Sequence, residues 1–171
     1  ISMGFPVYNS DERAKELINY DESIINLIKR EFGDEIYTSE GLDRKKMAGI
    51  VFNDSEKLQK LNNIVHPAVG RDFEKWCLTK DTAFVLKEAA ILFETGIYKS
   101  LDKTILVTCP KEERINRVMK RDSVTKESVQ ARMNNQWNED KKKELADYTI
   151  DNSGEQMVIP QIITLIKKLS N

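Results

Sequence analysis

Residues 104–110 read TILVTCP. Ile105, Leu106 and Val107 follow one another without polar alternation, and Pro110 closes the run. A strand with one wet face would alternate apolar and polar residues. An unbroken apolar run bounded by a breaker fits a strand covered on both faces, the usual state in a parallel sheet. TAFVLK, from Thr82 to Lys87, has the same character and runs into Glu88. Two shorter segments extend the series: FPVY runs into Asn9-Ser10-Asp11, and YTI, Tyr148 to Ile150, runs into Asp151-Asn152-Ser153-Gly154.

Between these segments the periodicity is helical. Leu58, Leu61, Ile64 and Val65 share one face of a long stretch after Asp54-Ser55; Ile115, Val118 and Met119 do the same after Pro110, which suits a helix's first turn. Ile159, Ile162, Ile163 and Ile166 form a last stripe. Strands alternating with helices predict an α/β fold with right-handed crossovers and a parallel sheet. In open sheets of this kind ligands sit outside the carboxyl ends of the strands. Asp11, Glu88 and Asn152 are therefore expected to converge on one crevice.

Two segments exceed a minimal sheet-and-helix sandwich. Residues 21 to about 80 are mostly helical and far longer than a simple crossover, and residues 120–145, KRDSVTKESVQARMNNQWNEDKKKEL, are strongly charged. Insertions at such places commonly serve as substrate lobes and lids.

The bulk numbers narrow the class. A chain of 171 residues suits one domain with appended lobes, and 27 Lys plus Arg against 28 Asp plus Glu leave a net charge of −1, too balanced for a nucleic-acid coat protein. Cys77 and Cys109 are the only cysteines and His66 the only histidine, which argues against structural zinc and a disulfide framework. No apolar run approaches the length of a membrane span, and the cytoplasm is the expected compartment.

Several side chains could carry chemistry. Asp11 has two readings: one of Asn9, Ser10 and Asp11 caps the following helix, or Asp11 is a carboxylate that orients an attacking hydroxyl. Arg114, Arg117 and Arg121 are spaced three and four apart, a solvated helix face or a set of planar, permanently charged donors for phosphate oxygens. Thr125, with Ser128 three residues on, reads as an N-cap, which puts Arg132 on the far side of a hinge. His66-Pro67 is expected to break or kink the long helix. Glu88 could hold a magnesium-bound water or pair with a lysine, and Phe93 in AAILFETG reads by default as core.

In order, GFPVYNSDERAKEL, LDRKKMAGIVF, LNNIVHPAV, VLKEAAILFETG, ILVTCPKEERINRVMKRDSVTKESVQARMNNQ and ADYTIDNSG resemble the dephospho-coenzyme A kinase family over nearly the whole chain. The resemblance implies a P-loop kinase-like, three-layer parallel sheet with a helical substrate lobe and a lid. The implied division is a core of 1–20, 81–118 and 146–171, a coenzyme-A lobe of about 21–80 and a lid of about 119–145. The implied activity moves the γ-phosphate of ATP, with Mg²⁺, to the 3′-hydroxyl of dephospho-coenzyme A. It implies neither a nucleic-acid nor a membrane partner.

Carried over, Asp11 matches the residue that contacts the ribose hydroxyl, and Arg121, Arg117 and Arg132 match lid positions that approach the ATP phosphates. Arg44, His66, Glu88 and Phe93 fall on the acceptor side, and Asn152 in the loop bordering adenine. Asn9 and Glu88-Ala89-Ala90 depart from the family's usual acidic residue and Asp-x-Pro, which makes direct contact of Glu88 with magnesium doubtful and concentrates the base role on Asp11. No G-x-x-x-x-G-K-[ST] occurs: the glycines are 4, 33, 41, 49, 70, 96 and 154. The family's loop lies just upstream of MGFPVY, so it is expected ahead of Ile1. Alternatives are a degenerate homologue serving as a non-catalytic binding module, or a kinase of another small metabolite.

Overall fold

The computed structural model describes residues 4–52 and 54–170. They form an α/β fold with parallel strand pairs and eight α-helices, divided into two compact units, residues 1–90 and 91–171.

In the first unit, β1 (Val7–Asn9) leads into α1 (Ser10–Tyr20) and α2 (Glu22–Phe32). Asp21 starts α2 by accepting the amides of Ser23 at 2.9 Å and Ile24 at 3.2 Å. A small antiparallel hairpin follows, β2 (Tyr37–Thr38) with β3 (Gly41–Leu42), then α3 (Arg44–Val51) and α4 (Ser55–Cys77). The unit closes with β4 (Leu86–Glu88), parallel to β1 with Tyr8 opposite Lys87 and Asn9 opposite Glu88.

The hairpin docks on α1, where Oδ1 of Asn19 accepts the amide of Leu42 at 2.9 Å. Gly41, at φ 106°, must be glycine, because a β-carbon there would collide with that same Asn19 side chain. The helices enclose Ile24, Ile28, Ile36, Met47 and Ala68, while Tyr8, Val65 and Val69 join β1 to α4. Tyr8 donates to Oδ2 of Asp72 at 2.7 Å, and Asp72 also receives the Arg13 guanidinium at 2.9 and 2.6 Å. This bond to Arg13 holds the Asp72 carboxyl below its usual range.

The expected break at His66-Pro67 does not occur: α4 runs as one helix through Pro67 for 23 residues. Proline removes one amide donor and crowds the carbonyl four residues earlier. Here Val65, Ala68 and Val69 are buried on either side of it, and packing of that face holds the helix together.

The second unit pairs β5 (Ile105–Thr108) with β6 (Tyr148–Asp151), again in parallel, from Ile105 opposite Tyr148 to Thr108 opposite Asp151. Between them lie α5 (Lys111–Asp122), α6 (Lys126–Asn134) and α7 (Glu139–Leu145); α8 (Val158–Leu169) follows. Pro110 directly precedes α5, and Thr125 caps α6 through the amide of Ser128 at 3.4 Å, as the sequence predicts. At the far end of β6 the Gln161 side chain accepts the Asp151 amide at 2.8 Å and donates to the Asp151 carbonyl at 3.0 Å.

One clasp sets the register of β5 and β6. Asp147 accepts the amide and the hydroxyl of Thr104, both at 2.9 Å, and Lys103 at 3.0 Å. These donors, Lys103 foremost, bring its carboxyl down to about 2. A carboxyl whose folded value lies below the ordinary one stabilises the fold above about pH 4. That contribution disappears as pH falls through about 2. The thermal midpoint of Asp147→Asn is therefore expected to lie below that of the wild type at pH 7, with the gap closing as both are measured towards pH 2; a gap independent of pH would count against the clasp.

Candidate active site

The carboxyl end of the β1–β4 pair collects three acidic side chains. Asn9, the last residue of β1, caps α1 by accepting the amide of Glu12 at 3.1 Å. Of the three candidate caps the structure uses Asn9, and the exposed Asp11 side chain stands in the first helical turn, where its charge complements the helix dipole. Glu88 ends β4 opposite Asn9. Its carboxyl is pushed up from the ordinary value by loss of solvent and then by the negative charges of Asp11 and Glu12. Sequence order alone thus brings Asp11 and Glu88 to one strand end, as expected.

Elsewhere in this unit, Arg44 is the exposed first residue of α3, a place where the helix dipole disfavours a cation. His66 lies half-buried in α4, and burial lowers its imidazole below the usual value, so it is neutral at pH 7.

In the second unit the arginine stripe of α5 divides by role. Arg114 is half-buried and donates to Glu139 of α7 at 3.1 Å, an anchoring contact. Arg117 pairs with Glu113 at 2.9 Å and donates to the Asn152 carbonyl at 2.8 Å. Asp151 shapes the same loop by accepting the Ser153 amide at 2.7 Å, and Arg117 braces it from α5. Arg121 and Arg132 converge on Asp122: Arg121 donates through Nε at 2.7 Å and Nη2 at 3.2 Å, Arg132 through Nη1 at 3.1 Å. The turn between α5 and α6 passes through Ser123 at φ 54°, the left-handed conformation that lets the second helix fold back.

Phe93 is 4 % exposed and packs on Tyr98 with ring centroids 5.3 Å apart, the core placement that the sequence gives it by default. The neighbouring Glu94 was not singled out by sequence. Its Oε1 accepts the Trp137 amide at 2.8 Å and Lys142 at 2.7 Å, fixing the connection between α6 and α7. Asp122 was also passed over; its place directly after Arg121 is the signal that could have revealed it. A cleft of about 340 Å³ between β6 and α8, lined by Tyr148, Thr164 and Lys168 among others, includes none of the candidate residues.

The first unit thus carries a carboxylate outside the cap at a strand end, and the second a pair of guanidiniums at the α5–α6 turn. The family model for dephospho-CoA kinase matches residues 1–157. The chain belongs to the dephospho-CoA kinase family. Its activity is thus the phosphoryl transfer that ends coenzyme A synthesis. The dephospho-CoA kinase of Bacteroides fragilis is 34% identical over 165 residues, which cover 96% of this chain and 80% of that one. The crystal structure of TT1252 from Thermus thermophilus superposes with a TM-score of 0.87 at 32% identity, over 98% of this chain and 85% of that one. The dephospho-CoA kinase of Campylobacter jejuni gives a TM-score of 0.67 at 26% identity, over 99% of this chain and 87% of that one. Among the described residues no helix is long and apolar enough to cross a membrane.

Proposed function

We propose that the fold is a P-loop kinase core of residues 1–20, 81–118 and 146–171, with a helical acceptor lobe at about 21–80 and a lid at about 119–145. On this core Asp11 aligns the ribose 3′-hydroxyl of dephospho-coenzyme A against the γ-phosphorus of ATP. The hydroxyl oxygen forms the new P–O bond, the bond to the leaving ADP oxygen breaks, and the hydroxyl proton passes to the Asp11 carboxylate. In a loose transition state proton removal comes late, so alignment is the larger part of Asp11's contribution.

Arg121 and Arg132 offer planar donors to the phosphate oxygens, and Arg117 offers its own to the same phosphates beside the Asn152 loop, which borders the adenine. Arg44 and His66 belong to the acceptor lobe. A neutral imidazole at His66 can donate or accept one hydrogen bond without placing a charge beside the acceptor's own phosphates. The observation that carries the reading is the division of labour at the start of α1: Asn9 takes the cap and Asp11 is left for chemistry.

Magnesium fits the same strand end. Mg²⁺ binds through one or two carboxylates and keeps water and phosphate as its other ligands. Loss of solvent, and after it the negative charges of Asp11 and Glu12, raise the proton affinity of Glu88, and a divalent cation relieves the charge part of that effect. Glu88 is the residue that would hold it, through a water, and the ion would supply neutralisation of the ATP phosphates. No cluster of three metal-ligating side chains exists among the described residues, so the metal would depend on nucleotide oxygens. We place this activity in the cytoplasm.

The test is transfer of labelled γ-phosphate by the intact protein to dephospho-coenzyme A, compared with adenylate and shikimate as acceptors. Coenzyme A is the expected product. Phosphorylation of another acceptor with dephospho-coenzyme A ignored would overturn the assignment, and binding of both substrates without transfer would point to a non-catalytic module.

A further inference from the structure

We propose that Asp122 is a positioning residue for phosphoryl transfer: its carboxylate holds the Arg121 and Arg132 guanidiniums side by side, so that both turn their remaining N–H groups to the phosphates of one nucleotide. The proposal rests on the reading of those two arginines as phosphate ligands.

The geometry is specific. Arg121 gives its Nε and Nη2 edge to the two carboxylate oxygens, at 2.7 and 3.2 Å, which leaves Nη1 on the outer side. Arg132 reaches Oδ2 from α6 with Nη1 alone, at 3.1 Å. One carboxylate therefore joins two helices across the Ser123 turn, and each guanidinium keeps unused donors.

Exposure shows which partner is fixed. The Asp122 side chain is 26% exposed, against 74% for Arg121 and 57% for Arg132, so the carboxylate forms the base and the guanidiniums project into solvent. Asp122 is also the last residue of α5, where the helix carbonyls disfavour negative charge; two arginines compensate for that placement.

Two guanidiniums side by side repel each other, and free arginine side chains lose rotamer entropy when they close on a ligand. A carboxylate between them offsets the repulsion and restricts both before the nucleotide arrives, which is how a fixed orientation becomes rate. Asparagine keeps the shape, but its amide turns a donor towards one of the two arginines.

The experiment compares Asp122→Asn, Asp122→Glu, Arg121→Ala and the double variant Asp122→Asn/Arg121→Ala in the intact protein, with ATP varied. Asp122→Asn should lower kcat by about 10- to 100-fold with little change in KM for ATP. Asp122→Glu should recover part of the loss, and the double variant should be no slower than Arg121→Ala alone, because the two residues act as a unit. The thermal midpoint should stay in place, since exposed ion pairs contribute little to folding. Unchanged kcat in Asp122→Asn, or tighter ATP binding with undiminished turnover, would overturn the proposal; the latter would mean that the carboxylate only masks the arginines. Wild-type turnover in Arg121→Ala would overturn the underlying reading, and the proposal with it.

Discussion

Turnover of Arg121→Ala should fall by about 10³- to 10⁵-fold, the range over which an arginine aimed at transferring phosphate raises a kinase's rate. The side chain is 74% exposed and its bonds run to its own neighbour Asp122, so it contributes little to the fold and the loss should appear in kcat with the melting temperature intact. Lysine in its place should restore only part of the rate: it keeps the charge but lacks the planar fork that can serve two oxygens at once. Single-turnover measurement of labelled phosphate transfer separates the chemical step from product release. A variant with undiminished single-turnover rate would return Arg121 to an ordinary solvated face.

Asp11→Asn is expected to cost about 10²- to 10⁴-fold in kcat, with KM for dephospho-coenzyme A changed much less, because the residue acts on the reacting hydroxyl and not on the bulk of the substrate. The cap geometry makes this a clean experiment. Had Asp11 been the helix cap, Asp11→Ala would cost about 0.5–2 kcal/mol of stability. Asn9 holds that position, so Asp11→Ala should remove only the first-turn dipole contribution, about 0.3–1 kcal/mol. Asn9→Ala is the matched control: it should lower the melting temperature. A result in which Asp11→Ala melts as early as a lost cap requires, while Asp11→Asn turns over normally, would reverse the two assignments.

TAFVLK and TILVTC are legible as strands because their apolar runs are unbroken, and reading the polar strand ends as one end of a sheet puts Asp11 with Glu88. The contact of Arg117 with the Asn152 carbonyl has no such mark in the sequence. The limits of β4 were less legible. TAFVLK reads as a strand from Thr82, yet only Leu86–Glu88 pairs in the ladder, while Phe84 stacks on Phe5 with centroids 4.3 Å apart. An apolar run marks burial and does not say which residues are hydrogen-bonded.

The β2–β3 hairpin left no trace because strands of two residues carry no period, and its place depends on Asn19 from a distant helix. The continuity of α4 through Pro67 is hidden for a related reason: proline's cost is local and visible in sequence, whereas the packing of Val65, Ala68 and Val69 that outweighs it is tertiary. Glu94 escapes notice because its partners Trp137 and Lys142 are more than forty residues away, and at Asp122 the sequence shows the adjacent Arg121 but not the second guanidinium, from Arg132.

The Gln161 side chain, by exchanging two hydrogen bonds with the Asp151 backbone, acts as a counterfeit neighbouring strand one residue long. Strand margins with bare amides and carbonyls recruit other chains, and proteins that work at high concentration must blunt them. Here the blunting falls at Asp151, where β6 gives way to the loop, so an incoming polypeptide finds that backbone position already paired.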